Sequence, residues 1–404
     1  MTLSVDERRI AAIVEKVVAE LRPEPPPPGI QPVNSREPGR VRSPAPARTE
    51  AASAAGQGGV FPDIDQAIAA AQSAQQRLVD LPLERRSALI ASIRQAASEN
   101  AQVLAHAAWQ ETGMGRQEDK LEKNLLVGER TPGTEPLQAE AWTGDRGLTL
   151  VERAPYGVIG AITPSTNPTS TIICNAIGMV AAVNSVVFNA HPAAKGCSAQ
   201  TVEVLNGAIL RAGGPGNLIT CPVQPTIESA QYLMRHPAIR LLVVTGGPGV
   251  VREAMGSGKK AICAGPGNPP VVVDETADLE QAARDIVKGA SFDNNLVCIL
   301  EKEIIAVEAI ADQLKSIMLQ RGAVELTSWQ LNRLMKVILA EDHGPGKHSV
   351  INKAFVGKSP SVILREIGVN VGEEVRLAVA EAEAQHPLVW TEQLMPIIPL
   401  VRVP

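Results

Sequence analysis

The hydrophobic pattern changes character twice along the chain. Ile10, Ile13, Val14, Val17, Val18 and Leu21 recur at i, i+3, i+4, i+7, i+8 and i+11, with Arg8, Arg9, Glu15, Lys16 and Glu20 outside that stripe. This predicts an amphipathic helix within residues 1–22, ended by Pro23. Residues 23–57 lose all periodicity and are rich in Pro, Gly, Ser and Ala, which predicts an extended linker. A folded body is expected from about Phe61, with Asp63 as a helix N-cap and Gln66 at the capping-box position. Helices are predicted over 64–77 and 83–110, and a strand or hairpin edge over 148–151. From Tyr156 short β-branched runs at 157–162, 185–188, 217–220, 241–244 and 271–273 alternate with helical stretches at about 169–182, 196–212, 226–235 and 248–257. Such alternation predicts an α/β protein with a doubly wound, mostly parallel sheet. Ligands of such sheets bind at the carboxyl ends of the strands, so the turns 163–167, 189–192 and 245–249 are the candidate site.

A chain of 404 residues exceeds one ordinary core and implies two or three domains. Aromatic residues are only 2%, so Ala, Val, Ile and Leu must fill the core, and base stacking has little to work with. The net charge of −5, without a basic block, gives nucleic acid no electrostatic footing. The longest nearly apolar run, 172–188, is interrupted by Asn175 and Asn184 and reads as a buried helix and strand, not a membrane span. The N-terminus does not fit a secretory signal. The five cysteines are odd in number and lack C-x-x-C spacing, so neither a disulfide framework nor a metal site is expected, and a reducing cytoplasm is.

Two familiar phosphate motifs fail. Around Gly258-Lys259 the P-loop pattern lacks its first Gly, where Glu253 stands, and its final Ser or Thr, where Lys260 stands. At Gly247-Pro248-Gly249 the dinucleotide fingerprint lacks its third Gly, where Arg252 stands; 256–261 fits only its looser form and precedes a strand.

Longer strings are more specific. Glu111-Thr112-Gly113-Met114-Gly115, Thr131-Pro132-Gly133-Thr134-Glu135, Pro155-Tyr156-Gly157-Val158-Ile159-Gly160, Thr245-Gly246-Gly247-Pro248-Gly249, Gly267-Asn268-Pro269-Pro270 and Asp293-Asn294-Asn295-Leu296-Val297-Cys298 occur in that order. On these strings the chain from about residue 60 resembles the aldehyde dehydrogenase superfamily. Its CoA-acylating branch from bacterial microcompartments, acting on propionaldehyde or acetaldehyde, is the best match. The resemblance implies an NAD-binding domain over 58–268 and an α/β catalytic domain over 269–404. It likens residues 1–22 to an encapsulation peptide that engages shell proteins. A homo-oligomer, dimer or tetramer, located in the cytoplasm inside a microcompartment, is implied as well.

The resemblance also assigns roles. Cys298, by itself more often a core residue, becomes the nucleophile that forms a thiohemiacetal and then a thioester. Asn167, otherwise a turn residue, becomes the oxyanion donor. NAD is expected against Thr163, Pro164, Ser165, Thr166, His191, Pro192, Thr245, Gly246, Gly247 and Val250, with Glu392 on the nicotinamide ribose. His191 stands where other branches carry Lys, and a small neutral group there favours NAD over NADP. Hydrolytic relatives carry a Glu that activates water. Here the matching stretch 263–268 has no carboxylate, which favours attack by the thiol of coenzyme A. Relatives continue past Pro404, so the catalytic domain is expected to be incomplete. Two other readings stay open: a hydrolytic aldehyde dehydrogenase, and an inactive truncated relative acting as shell cargo.

Overall fold

The computed structural model describes residues 57–404; the expected N-terminal helix and the linker up to residue 56 lie outside them. The body opens with β1 (Val60–Phe61) and α1 (Ile64–Val79). The predicted cap forms: Asp63 accepts the Gln66 backbone N–H at 2.8 Å and its side-chain amide at 2.7 Å. The single helix expected over 83–110 is two, α2 (Leu83–Glu99) and α3 (Ala101–Thr112). Asn100 breaks it, because its side-chain amide bonds the Ala96 carbonyl at 2.8 Å and competes with the helical ladder. α4 (Gln117–Arg130) was not anticipated: its buried positions are Asp119, Lys120, Lys123, Asn124 and Gly128, so it shows no apolar stripe. An exposed antiparallel hairpin of β2 (Glu140–Gly144) and β3 (Gly147–Val151) follows.

The predicted alternation then appears as β4 (Val158–Thr163), α5 (Pro168–Ala181), β5 (Ser185–Ala190), α6 (Lys195–Arg211), β6 (Ile219–Pro222), α7 (Ile227–Arg235), β7 (Ile239–Thr245), α8 (Pro248–Met255) and β8 (Ala261–Ala264). These strands form one parallel sheet in the order β1-β6-β5-β4-β7-β8. The chain winds outward from β4 in one direction and later in the other, so β4 and β7 flank the point where strand order reverses. Ile162 pairs with Val244 and Thr163 with Ala190, so the ends of β4, β5 and β7 lie side by side. β4 and β5 are buried throughout, and Ile172, Ile173, Ile177, Phe188, Leu205 and Ile209 fill the core beside them. The apolar run 172–188 is thus a buried helix and strand, and among the described residues no helix is long and apolar enough to cross a membrane.

The run at 271–273 belongs elsewhere. β9 (Pro270–Val273), β10 (Glu303–Val307), β11 (Ala323–Leu326), β14 (Leu377–Glu381) and β15 (Ile397–Val403) form a second parallel sheet in the order β11-β14-β15-β10-β9. α9 (Leu279–Ser291), α10 (Glu308–Gln320), α11 (Ser328–Ile338) and α12 (Pro360–Arg365) connect or flank these strands, with a small pair of β12 (Leu339–Glu341) and β13 (Val350–Ile351). The segment 292–302, between α9 and β10, carries Cys298.

Candidate active site

The loop that presents Cys298 holds three consecutive non-glycine residues in the left-handed region: Asp293, Asn294 and Asn295, at φ 48°, 54° and 60°. Asp and Asn tolerate that region best, yet a run of three persists only if the surroundings enforce it. Each of the three is tied down. The buried Asp293 carboxylate accepts the Arg116 N–H at 2.7 Å, pairs with Lys120 at 3.1 Å and pairs with Lys123. Asn294 accepts Arg116 Nε at 2.9 Å and donates to the Gly357 carbonyl at 2.8 Å. Asn295 donates to the carbonyls of Ala290 and Glu301 at 2.7 and 2.9 Å, and its own carbonyl accepts the Lys302 ammonium at 2.9 Å. Gly115, at φ 74°, leaves the room Asp293 needs, since a Cβ there would overlap the carboxylate. The unforeseen α4 is therefore the clamp on this loop.

Cys298 is half-buried, and the next residue, Ile299, is 78% exposed. A Cβ on Gly267 would overlap the Cys298 carbonyl oxygen, so the backbone at Gly267 lies directly against the cysteine. The Gly267 N–H donates to Glu392 Oε1 at 3.0 Å, which brings that carboxylate to the same place. Burial pushes the Cys298 thiol above its usual range; the Glu392 charge adds to this and the Lys302 charge opposes it. Burial likewise raises Glu392, against the pull of the Gly267 N–H and Lys302. Lys302 is fully buried and pushed down to about 8 by burial, although Glu392 and Cys298 favour its charge. Cys197 and Cys221 are buried and pushed up far more strongly, as core thiols are.

The turn after β4 faces this loop. Asn167 precedes α5, accepting the Thr171 N–H on its carbonyl at 3.1 Å. Its side-chain amide donates to Thr166 Oγ1 at 3.0 Å and to the Leu296 carbonyl at 3.4 Å, and its Oδ1 accepts the Lys123 ammonium at 2.5 Å. Asn167, Cys298 and Glu392 are thus brought together from widely separated segments.

The other predicted positions lie along the ends of β4, β5 and β7. The Thr163 hydroxyl is buried with no hydrogen-bond partner. His191 is drawn back to its own turn, with Nδ1 accepting the Ala193 N–H at 3.1 Å; burial and then the Lys353 charge hold it below its usual pKa. The imidazole therefore stays neutral at pH 7. Pro192 opens the short turn before α6. At the end of β7 the Gly246 N–H is used by the Ala264 carbonyl at 3.1 Å, whereas Gly247 caps α8 and would point a Cβ into open space. Internal packing does not demand a glycine there, so the position is open to close approach by a ligand. Gly249 and Val250 head the first turn of α8, where unpaired N–H groups attract an anion.

Sequence reasoning missed Lys120, Lys123 and Lys302. For Lys120 and Lys123 the available signal was polar residues at helical spacing in α4, which by default reads as a solvated face; Lys302, just before β10, gave none.

A strained loop carrying a half-buried cysteine, a side-chain amide bonded to that loop and a doubly wound parallel sheet beside it are the features of an α/β protein with one candidate site. Residues 33–327 match the model of the aldehyde dehydrogenase family, and the chain belongs to that family. It is 49% identical over 346 residues to the acetaldehyde dehydrogenase (acetylating) EutE of Escherichia coli (strain K12), covering 85% of this chain and 73% of that one. It is 46% identical to the propanal dehydrogenase (CoA-propanoylating) of Citrobacter freundii, covering 85% and 74%. Its fold matches a Rhodopseudomonas palustris propionaldehyde dehydrogenase with bound CoA and an acylated cysteine, at TM-score 0.81 and 46% identity, covering 86% of this chain and 78% of that one. A propionaldehyde dehydrogenase from the Clostridium phytofermentans fucose utilisation bacterial microcompartment matches at TM-score 0.81 and 47% identity, covering 85% and 78%.

Proposed function

We propose that Cys298 is the nucleophile with which this enzyme oxidises a short aliphatic aldehyde and passes the acyl group to coenzyme A. The thiolate adds to the aldehyde carbonyl, and the resulting oxyanion accepts a hydrogen bond from Asn167 Nδ2. NAD, when bound at the ends of β4, β5 and β7, supplies the hydride acceptor. Thr163, Gly247 and the first turn of α8 fit it by their unpaired hydroxyl, open space and free N–H groups, and Glu392, held by the Gly267 N–H, would take the nicotinamide ribose. Loss of hydride converts the thiohemiacetal to a thioester on Cys298. A coenzyme A thiolate then adds to the thioester, the Cys298 thiolate leaves, and acyl-CoA is released. Every step reverses, so acyl-CoA reduction is the same chemistry read backwards.

The observation that carries acyl transfer is the contact of Gly267 with Cys298. Gly267 lies against the nucleophile's residue, and the stretch 263–268 that contains it has no carboxylate to activate water. Glu392, the acid nearest by, is held by the Gly267 N–H. The experiment is NADH formation from acetaldehyde or propionaldehyde with and without coenzyme A. Sustained turnover that requires coenzyme A is expected, with at most one equivalent of NADH per site in its absence. Sustained turnover without it would replace this reading by a hydrolytic one. Residues 1–22 are the segment proposed to engage a shell protein within a microcompartment; their removal is expected to leave turnover unchanged.

A further inference from the structure

We propose that Lys123 is a positioning residue that fixes which end of the Asn167 amide faces the reacting carbonyl. This rests on Asn167 being the oxyanion donor. The two ends of an Asn amide are alike in shape and exchange by a half-turn, but only the nitrogen can donate. An amide free to turn would present its oxygen to the developing oxyanion part of the time, and that orientation repels. Lys123 removes the choice. An ammonium has three donors and no acceptor, so the atom it meets at 2.5 Å has to be Oδ1. Nδ2 then points at the cysteine loop, toward the Leu296 carbonyl two residues before Cys298. At 3.4 Å that bond is weak and readily exchanged for a charged oxygen.

Lys123 is itself held. It pairs with Asp293, whose carboxylate also takes Lys120 at 3.1 Å and the Arg116 N–H at 2.7 Å. A line of charge-assisted bonds thus runs from Asp293 in the strained loop through Lys123 to the turn after β4, and it sets both halves of the site in one register. Ion pairing alone does not account for the placement of Lys123. Burial pushes it down to about 8 even though Asp293 and, through space, Asp119 both favour its charge, and one of its three donors is spent on the Asn167 amide. A buried cation that gives a donor to the amide proposed to hold the oxyanion fits a functional role.

The test is a double-mutant cycle on the full chain, with kcat for acetaldehyde oxidation and the aldehyde KM as readouts. Asn167→Ala is expected to lower kcat about a hundredfold. Lys123→Met is expected to lower kcat about tenfold or more with KM unchanged, because only a transition-state contact is lost. The double variant should be no slower than Asn167→Ala alone, since no amide is left to orient. Alkylation of Cys298 by iodoacetamide should proceed at a rate close to wild type in Lys123→Met, because Arg116 and Lys120 still hold Asp293, and a collapsed rate would overturn the proposal by showing that the loop itself is lost. Lys123→Gln, which keeps a donor on a shorter side chain, should retain more activity than Lys123→Met. Equal costs of Lys123→Met with and without Asn167, equal losses in Lys123→Gln and Lys123→Met, or a wild-type rate in Lys123→Met would each overturn the proposal. A wild-type rate in Asn167→Ala would instead remove the oxyanion assignment on which it stands.

Discussion

Two charges of opposite sign compete over one sulfur. Burial and Glu392 raise the Cys298 thiol, while Lys302 lowers it. A raised thiol holds less thiolate at pH 7, so the reactive fraction grows as pH climbs toward the raised value. Glu392→Gln removes a negative neighbour, lowers the thiol pKa and should move the alkylation profile of Cys298 to lower pH. Peptide-resolved mass spectrometry of iodoacetamide-treated protein separates this thiol from Cys174 and Cys263. A profile that stays in place or moves upward would contradict the opposition described. Cys298→Ala should abolish NADH formation altogether. Glu303 offers a cleaner stability test. Burial pushes it to about 7, above the roughly 4.3 of an unfolded Glu, so its folded form holds a proton the unfolded form releases. That contribution is present below the unfolded pKa and fades as pH rises through 7. Glu303→Gln should therefore raise the melting temperature at pH 8 and leave it nearly unchanged at pH 4. An equal rise at both would mean that the carboxylate charge is not what costs stability.

Elements differed in how well the sequence announced them. β4, β5 and β7 were legible because β-branched residues in short runs between turns have few other uses, and they appear within a few residues of the expected bounds. The cap of α1 was legible for the same local reason. α4 was not, because its inward face carries ions in place of aliphatic side chains; no periodicity can tell a buried charge from a solvated one before the partners across 170 or more residues are known. The left-handed run of Asp293, Asn294 and Asn295 was equally hidden, being enforced by Arg116 and Gly357 from other elements and by Lys302 at the far end of the same segment. Cys298 and Asn167 could be picked out by resemblance to a family, but their proximity and the lysine behind Asn167 could not. The α4 clamp makes its own prediction. Gly115→Ala forces a Cβ into the Asp293 carboxylate at a φ of 74°. It should destabilise the protein by about 1–3 kcal/mol in urea unfolding and lower activity along with it. A neutral result would mean that the loop shifts without consequence.

At the scale of the molecule, the proposed site draws on both parallel sheets: the ends of β4, β5 and β7 are the proposed cofactor edge, and the segments 292–302 and 391–395, which flank strands of the second sheet, carry Cys298 and Glu392. The hairpin of β2 and β3 takes no part in either sheet. Leu148 and Leu150 are 68% and 59% exposed on one of its faces, and Trp142 is 55% exposed on the other. A two-stranded ribbon wet on both faces is marginally stable in water, and exposed apolar side chains on it need cover. Association between copies of the chain through this ribbon would supply that cover. Light scattering should then give a mass above that of one chain, and Leu148→Asp with Leu150→Asp should bring it down to a single chain while the far-ultraviolet dichroism of the two sheets persists. A wild-type protein that scatters as one chain, or a variant that keeps its mass, would place the cover elsewhere. Because Cys298, Asn167 and Glu392 are not on the ribbon, the dissociated variant should still form one equivalent of NADH per site, separating assembly from chemistry.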